Sequence, residues 1–153
     1  MKQIILLLLC LMLLTACAPA ETEAPSETQP APLITITIYS GNDNADGFVT
    51  SQIQVEEISA NTLVERLIQA GILTEDIEIL AFEAKGAQLN LDFSSGFRDL
   101  ICSQGTAGEY ILMGSVVNTF LDAYAAETVS ITVDNQILES GHVIYDFPMA
   151  RFE

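Results

Sequence analysis

The sequence predicts an α+β domain over residues 33–153, in which two helices pack on one face of a mostly antiparallel sheet. Three observations lead to this fold class. Several short segments alternate apolar and polar residues as half-buried strands do, and two longer segments repeat apolar residues at helical spacing. The segments follow one another in the order β-α-β-β-α-β-β, with a further strand or extended arm after the first strand. A length of about 120 residues is common for a domain with one hydrophobic core.

Two extended segments are predicted at the start of this domain. Residues 34–39 alternate isoleucine with polar side chains, which is typical of a half-buried strand. Residues 40–47 are rich in glycine, asparagine and aspartate and are predicted to form a loop. The spacing of Val49, Ile53 and Val55 then indicates a second strand or an extended arm.

A first helix is predicted over residues 60–70. Ser59 or Asn61 can cap its N-terminus with a side-chain oxygen. Gly71 is placed to end the helix in the left-handed conformation. The residues expected on the buried stripe are Leu63, Val64, Leu67 and Ile68.

A β-hairpin is predicted next, with strands over residues 77–84 and 87–93 around Lys85-Gly86. Successive side chains of a strand point to opposite faces of the sheet. The apolar face of the second strand is expected to carry Leu89, Leu91 and Phe93, and its polar face Gln88, Asn90 and Asp92.

The longest helix is predicted over residues 107–125, after the capping-box pattern Thr106-x-x-Glu109. Asn118 and Thr119 lie in the middle of this helix. We expect Asn118 to hydrogen-bond a neighbouring loop and Thr119 to bond back to the carbonyl four residues earlier. The apolar residues at helical spacing are Tyr110, Met113, Val116, Val117, Phe120, Leu121 and Tyr124.

The last strands are predicted around one tight turn. Residues 129–133 alternate valine and isoleucine with polar side chains and form a strand. Asp134 and Asn135 turn the chain, and residues 136–146 return with a break at Gly141.

Several of these segments share their order and spacing with a known family. They are Leu89-Asn-Leu-Asp-Phe-Ser, Val117-Asn-Thr-Phe-Leu, Val129-x-Ile-x-Val-Asp and Gly141-His142. Together they resemble the GerMN domain, the sporulation and spore-germination module of Gram-positive bacteria, over roughly residues 33–148. Asn135 stands where the family usually has glycine, and asparagine also tolerates the left-handed conformation.

The resemblance implies a fold similar to the ring-building motif of secretion and sporulation channel proteins. It also implies an exported lipoprotein that assists the assembly of an envelope-spanning channel. The best-known member carries two such domains, whereas this chain has room for one. The family supplies no catalytic residue, so the resemblance points to protein–protein interaction rather than to chemistry.

The first residues have the layout of a bacterial secretion signal. Lys2 precedes an apolar run over residues 4–14, which is shorter than the about 20 residues that a permanent span needs. The end of this run resembles the lipobox of bacterial lipoproteins: Leu14-Thr15-Ala16-Cys17. We therefore predict a signal peptide over residues 1–16, cleavage between Ala16 and Cys17, and a lipid on Cys17.

This interpretation places the protein on the extracytoplasmic face of the cell membrane, held by acyl chains such as palmitate on Cys17. Acyl chains contribute roughly 0.8 kcal/mol per buried methylene, so two or more chains retain a protein firmly. An ordinary signal peptide cleaved elsewhere and an uncleaved anchor are the less favoured alternatives. Residues 17–32 are rich in proline, glutamate and threonine and are predicted to be a disordered tether. Such a segment spans roughly 20 Å as a coil and about 45 Å as polyproline II.

Charge and cysteine content exclude some classes of protein. The chain has 5 Lys and Arg against 21 Asp and Glu, a formal charge of −16, and loss of Lys2 with the signal peptide makes it −17. Nucleic-acid binding depends on basic residues that neutralise phosphates, so no nucleic-acid partner is expected. Cys10 leaves with the signal and Cys17 carries the lipid, which leaves Cys102 unpaired. We interpret Cys102 as a small, partly buried apolar side chain rather than a reactive thiol.

Two motifs resemble metal sites in part. Asn42-x-Asn44-x-Asp46-Gly47 matches the first half of a calcium loop, but Ile53 occupies the position of its bidentate glutamate. A polar turn is favoured over a calcium site there. His142 is the only histidine, so no histidine-based zinc cluster is predicted, and we expect a hydrogen-bonded or exposed residue near a strand break.

No catalytic residue and no cofactor are predicted. Ser94-Ser95-Gly96 follows a strand without a catalytic partner, and the pair Asp92 and Asp99 is weak evidence for a dyad in a chain so rich in acids. We expect a non-enzymatic lipoprotein whose partners are the membrane, through Cys17, and an unidentified envelope protein, with no small-molecule substrate evident. The alternative is a solute- or calcium-binding lipoprotein, and an envelope hydrolase is the least favoured.

Overall fold

The computed structural model describes residues 32–153, so the predicted signal peptide, Cys17 and the tether up to residue 31 lie outside the described residues. Its strands and helices alternate along the chain much as predicted. They are β1 (Ile34–Gly41), β2 (Phe48–Val55), α1 (Ala60–Gln69), β3 (Ile79–Lys85), β4 (Gln88–Phe93), α2 (Ser95–Cys102), α3 (Thr106–Tyr124), β5 (Thr128–Val133), β6 (Gln136–Glu139) and β7 (Ile144–Tyr145).

The strands form two sheets. β1 and β2 make an antiparallel hairpin of their own, and the other strands lie in the order β3-β4-β5-β6-β7. All neighbours in the larger sheet are antiparallel except β4 and β5, which are parallel. Parallel neighbours need a long crossover, and α2 and α3 provide it here. The predicted α+β class with a mostly antiparallel sheet is confirmed, although the first two strands are separate from the main sheet.

A third helix, α2, was not predicted between β4 and the long helix. Its eight residues contain Gly96 and bury only Phe97 and Ile101 deeply on the apolar side, so helical periodicity is hard to recognise in the sequence. Tertiary packing stabilises it instead. The Phe97 ring stacks on Phe93 with centroids 4.4 Å apart, and a Cβ at Gly96 would lie 2.5 Å from a carboxylate oxygen of Asp76.

The long helix α3 is buried on all sides, whereas one buried face was expected. Every residue from 112 to 121 is buried, because α3 contacts β1 on one side and β5, α1 and α2 on others. A helix that is apolar around its whole circumference occupies the middle of a core. A Cβ at Gly114 would clash with the rings of Phe48 and with Phe152, so glycine is needed for this close packing.

Asn118 and Thr119, in the middle of α3, form hydrogen bonds to the last residues of the chain and to β1. Asn118 donates from Nδ2 to the carbonyl of Phe152 (3.0 Å) and accepts from its N–H (2.9 Å), as expected for a bond to a neighbouring loop. The prediction for Thr119 was wrong, because its hydroxyl accepts from the backbone N–H of Tyr39 on β1 at 3.1 Å. The bond to the carbonyl four residues earlier is made by Ser115, to Ile111.

The ends of α1 and the turn between β5 and β6 were predicted correctly. Ser59 caps α1 through a 3.1 Å bond from the N–H of Thr62, and Gly71 ends it with φ +73°. Asp134 and Asn135 both have positive φ, 52° and 59°, which makes the β5–β6 turn a type I′ turn. Asparagine therefore supports this turn in place of glycine.

Within residues 32–153, no helix is long and apolar enough to cross a membrane.

Candidate functional site

A pocket opens beside the first turn of α3, between this helix, the β6–β7 connection and residues 147–152. Its volume is about 240 Å³. The carboxylate residue Glu109 also lines it, and we call it the Glu109 pocket. An apolar cavity with a few placed polar groups is the usual form of a binding site. The apolar walls are formed by Tyr110, Val143, Phe147, Met149 and Phe152.

Glu109 is only 3% exposed and holds the β6–β7 connection against α3. Its Oε1 accepts hydrogen bonds from the Ser140 hydroxyl (2.5 Å) and from the Tyr145 hydroxyl (2.7 Å). Ser140 Oγ in turn accepts from the N–H groups of His142 and Val143, which closes the turn between the strands. The other carboxylate oxygen, Oε2, is buried and has no hydrogen-bond partner among the described residues.

The predicted capping box is therefore wrong. Gly105 is the N-cap of α3, no side chain caps it, and Thr106 is the first helical residue. The helix begins one residue before the predicted start, which places Glu109 one position too far along to reach back to the N-cap. Two hydroxyl donors from the β6–β7 region bind its carboxylate instead.

The electrostatics of the pocket keep Tyr145 neutral. Burial, followed by the hydrogen bond to Glu109, raises the pKa of the Tyr145 phenol above its ordinary value of 10.0. Tyr145 therefore remains a donor to Glu109 throughout the physiological pH range. The position of Glu109 in the first turn of α3 also favours negative charge there, because the positive end of the helix dipole lies at its N-terminus.

His142 and Cys102 are both exposed. His142 is exposed in the break between β6 and β7 and lines the rim of the Glu109 pocket, in agreement with an exposed residue near a strand break. Cys102 ends α2 and is exposed, which corrects the expectation of partial burial. Since α2 buries Phe97 and Ile101, the residue after Ile101 is turned about 100° away from the core.

In the loop that resembles half a calcium site, the side-chain oxygens accept hydrogen bonds from donors within the same loop. Asn42 Oδ1 accepts from the N–H groups of Asn44 and Asp46, both at 3.2 Å, and its amide donates to Asp46 Oδ1 at 2.8 Å. These bonds form the polar turn that the sequence favoured. Across residues 32–153, no group of three or more His, Cys, Asp or Glu side chains is placed to hold a metal ion.

Besides Glu109, Asp92 is the other buried carboxylate among the described residues, and it lies outside the Glu109 pocket. It accepts from the Thr132 hydroxyl (2.6 Å) and from the N–H of Asn135 (2.9 Å), so it fixes the turn that follows β5. It was predicted to lie on the polar face of β4, and it does, but at 5% exposure. These bonds account for Oδ1 of Asp92 as a structural group of the β5–β6 turn, whereas its Oδ2 is buried without a hydrogen-bond partner among the described residues.

The sequence did not indicate the Glu109 pocket. Of its lining residues only His142 was considered as a site residue, and Glu109 was interpreted as a cap. The pocket combines the start of α3 with residues more than 30 positions further along the chain. The spacing of residues within one segment cannot indicate a pocket that is formed by such distant residues.

Comparisons with known proteins agree with this fold. The family model described as sporulation and spore germination, Germane, matches residues 37–139. No functionally curated protein matches the chain in a sequence comparison. The first GerMN domain of the sporulation protein GerM from Bacillus subtilis has 15% identity and a TM-score of 0.56, with 77% of this chain and 98% of that chain covered.

The tandem GerMN domains of the same Bacillus subtilis protein align with 14% identity and a TM-score of 0.58. This alignment covers 86% of the present chain but only 50% of the tandem structure. At such identities the two structures establish the likeness of the folds alone. The family match covers most of the domain, and the chain therefore belongs to the Germane family of sporulation and spore germination.

Proposed function

We propose that this protein is a non-catalytic lipoprotein of the cell envelope, whose GerMN-like domain binds another envelope protein during sporulation or germination. Residues 1–16 serve as the signal peptide, residues 17–32 as the lipidated tether, and residues 33–153 as the binding domain. Cys17 carries the lipid on the extracytoplasmic face of the membrane. Membership of the sporulation and germination family and the lipobox-like Leu14-Thr15-Ala16-Cys17 support this role.

The observation that carries a binding role is the apolar surface at the Glu109 pocket. Tyr110 is 43% exposed, Phe147 is 49% exposed and Val143 is 37% exposed, and all three line the pocket. Contiguous exposed apolar side chains around a cavity mark sites of protein interaction. Aromatic residues in particular are enriched at the centres of protein interfaces.

The proposal of a non-enzymatic role rests on membership of the sporulation and spore-germination family. In the described part of the chain, the imidazole of His142 makes no hydrogen bond to a serine or cysteine side chain. A nucleophile and its base need to lie within hydrogen-bond reach of each other.

Lipid anchoring is tested by metabolic labelling with an alkyne analogue of palmitate. The unaltered protein should be labelled, and Cys17→Ala should lose the label and accumulate as the uncleaved precursor. Equal labelling of Cys17→Ala would overturn the assignment of the anchor.

Partner binding is tested in cells with a photoreactive phenylalanine analogue at position 147. Position 80 provides the matched control, because Leu80 is also 49% exposed and lies outside the pocket. We expect one envelope protein to be crosslinked from position 147 and not from position 80. Crosslinks that are equal at both positions would contradict a partner at this surface.

A solute-binding lipoprotein is the second candidate, and the Glu109 pocket itself favours it. The pocket is smaller than the roughly 300–1,000 Å³ of sites for drug-sized ligands, so only a small solute would fit. Thermal-shift screening with calcium salts and cell-wall fragments tests this candidate, since a specific ligand should raise the melting temperature.

A further inference from the structure

The Glu109 carboxylate is incompletely compensated within the domain. Both hydroxyl donors bind the same oxygen, Oε1, and Oε2 is buried without a partner. A buried charge normally requires pairing or hydrogen bonds to all of its polar atoms. Oε2 thus has capacity for one further donor, and a cationic donor would form the strongest bond.

The walls of the pocket favour a cation on an apolar stem. Tyr110 and Phe152 pack with ring centroids 5.1 Å apart, and Phe147 packs near Tyr145 with centroids 6.4 Å apart. Aromatic faces attract ammonium and guanidinium groups, and the same faces bury aliphatic carbons. A pocket of about 240 Å³ is suited to one side chain rather than to a large ligand.

No lysine or arginine among residues 32–153 supplies this cation. Lys85 pairs with Glu83 at 3.1 Å, and Arg151 pairs with Asp122 at 3.6 Å. Arg66 donates to a neighbouring glutamine at 2.6 Å, and Arg98 donates to a backbone carbonyl on β5. These are the four basic residues between positions 32 and 153, and each is engaged elsewhere.

The charge of the domain favours a basic partner as well. Three of the 21 acidic residues precede residue 32, which leaves 18 in the described domain against four basic residues. Such a field attracts cationic groups and disfavours close approach of a second acidic copy.

We propose that the Glu109 pocket receives the side chain of one lysine or arginine from a partner protein, with its cationic head at Glu109 Oε2. The aliphatic stem packs between Tyr110, Phe147 and Phe152. This inference rests on the proposed binding function and names the chemistry of its central contact. The side chains of Glu109 and its neighbours must shift slightly to admit the head group, since Oε2 is covered in the free domain.

The experiment uses NMR titration of the full chain in a mild non-ionic detergent. The probes are N-acetyl-lysine-N-methylamide, its arginine counterpart, and the norleucine analogue, which keeps the stem and lacks the charge. We expect the two cationic probes to perturb Val143 and Phe147 and to bind about tenfold more tightly than norleucine, as hydrogen bonds to charged groups do. Equal binding of norleucine, or perturbation away from the pocket, would overturn the proposal.

Glu109→Gln tests the carboxylate, because it keeps an acceptor for Ser140 and Tyr145 and removes the charge. Glu139→Gln is the control, since Glu139 lies exposed on β6. We expect the tenfold preference for cationic probes to disappear in Glu109→Gln and to persist in Glu139→Gln. If Glu109→Gln fails to fold, Phe147→Ala replaces it, because an exposed wall residue can be removed without opening the core, and unchanged binding there would refute the site.

The crosslinking experiment separates this inference from the proposed function. A partner that is captured equally by the unaltered protein and by Glu109→Gln would leave the binding function intact and refute the cationic contact. Cationic probes that bind in the pocket while no protein is crosslinked from position 147 would support the site chemistry and refute the protein partner. Self-association that is lost in Lys85→Ala would assign the pocket to a second copy and overturn the proposed partner.

Discussion

Replacement of Asn118 by alanine should destabilise the domain measurably. The Asn118 side chain is 1% exposed and makes two hydrogen bonds to the backbone of Phe152, at 3.0 and 2.9 Å. Each bond of this kind contributes about 0.5–1.5 kcal/mol to stability, so their loss costs about 1–3 kcal/mol. The better helix propensity of alanine offsets about 0.5 kcal/mol of this. We expect a net loss of about 0.5–2.5 kcal/mol in the free energy of unfolding.

Urea unfolding at neutral pH, followed by circular dichroism, measures this loss. In a domain of this size the melting temperature should fall by about 2–10 °C. Asn61→Ala is the matched control, because Asn61 lies exposed in the first turn of α1. This control should change stability by no more than about 0.5 kcal/mol, as surface substitutions usually do. If Asn118→Ala has the same melting temperature as Asn61→Ala, the two hydrogen bonds between Asn118 and Phe152 do not stabilise the fold and the reasoning is refuted.

Two other predictions concern packing and pH. Gly114→Ala should destabilise the domain by about 1–3 kcal/mol, because the added Cβ would clash with Phe48. Gly105→Ala is the control and should cost less, because a Cβ there meets open space. Equal urea midpoints for the two variants would contradict the close packing at Gly114. Tyr145→Phe should change how the free energy of unfolding falls at alkaline pH. The raised pKa of Tyr145 means that the unfolded chain loses its proton first, so stability is full below about pH 10 and falls as the pH rises above it. Tyr145→Phe should weaken this fall, which unfolding curves between pH 8 and pH 11 would reveal.

The parts of the fold that depend on neighbouring residues could be predicted from the sequence. Ser59 and Gly71 bound α1 because capping and left-handed termination act within one helical turn. The type I′ turn at Asp134 and Asn135 depends on only two residues. The residues that determine each of these features lie within a few positions of one another, so a sequence pattern can indicate them.

The parts that depend on distant residues could not be predicted. Thr119 meets Tyr39 across 80 positions, and this bond exists only because β1 packs on α3. The role of β2 as a full strand was ambiguous, because its residues are mostly exposed and its pairing with β1 supplies the regularity. Glu109 matched a local capping pattern, and two hydroxyls from beyond position 139 bind it instead.

The attachment of both the first strand and the last residues to α3 has a consequence for folding. Tyr39 bonds to Thr119, and Arg151 donates to the Tyr39 hydroxyl at 2.8 Å across 112 positions. Contacts between residues so far apart slow folding, because the intervening chain must be ordered before they form. The first strand therefore cannot pack in its final place until the chain has been synthesised through α3. For a protein that we propose to be exported, we expect this delay to favour an unfolded chain during translocation across the membrane.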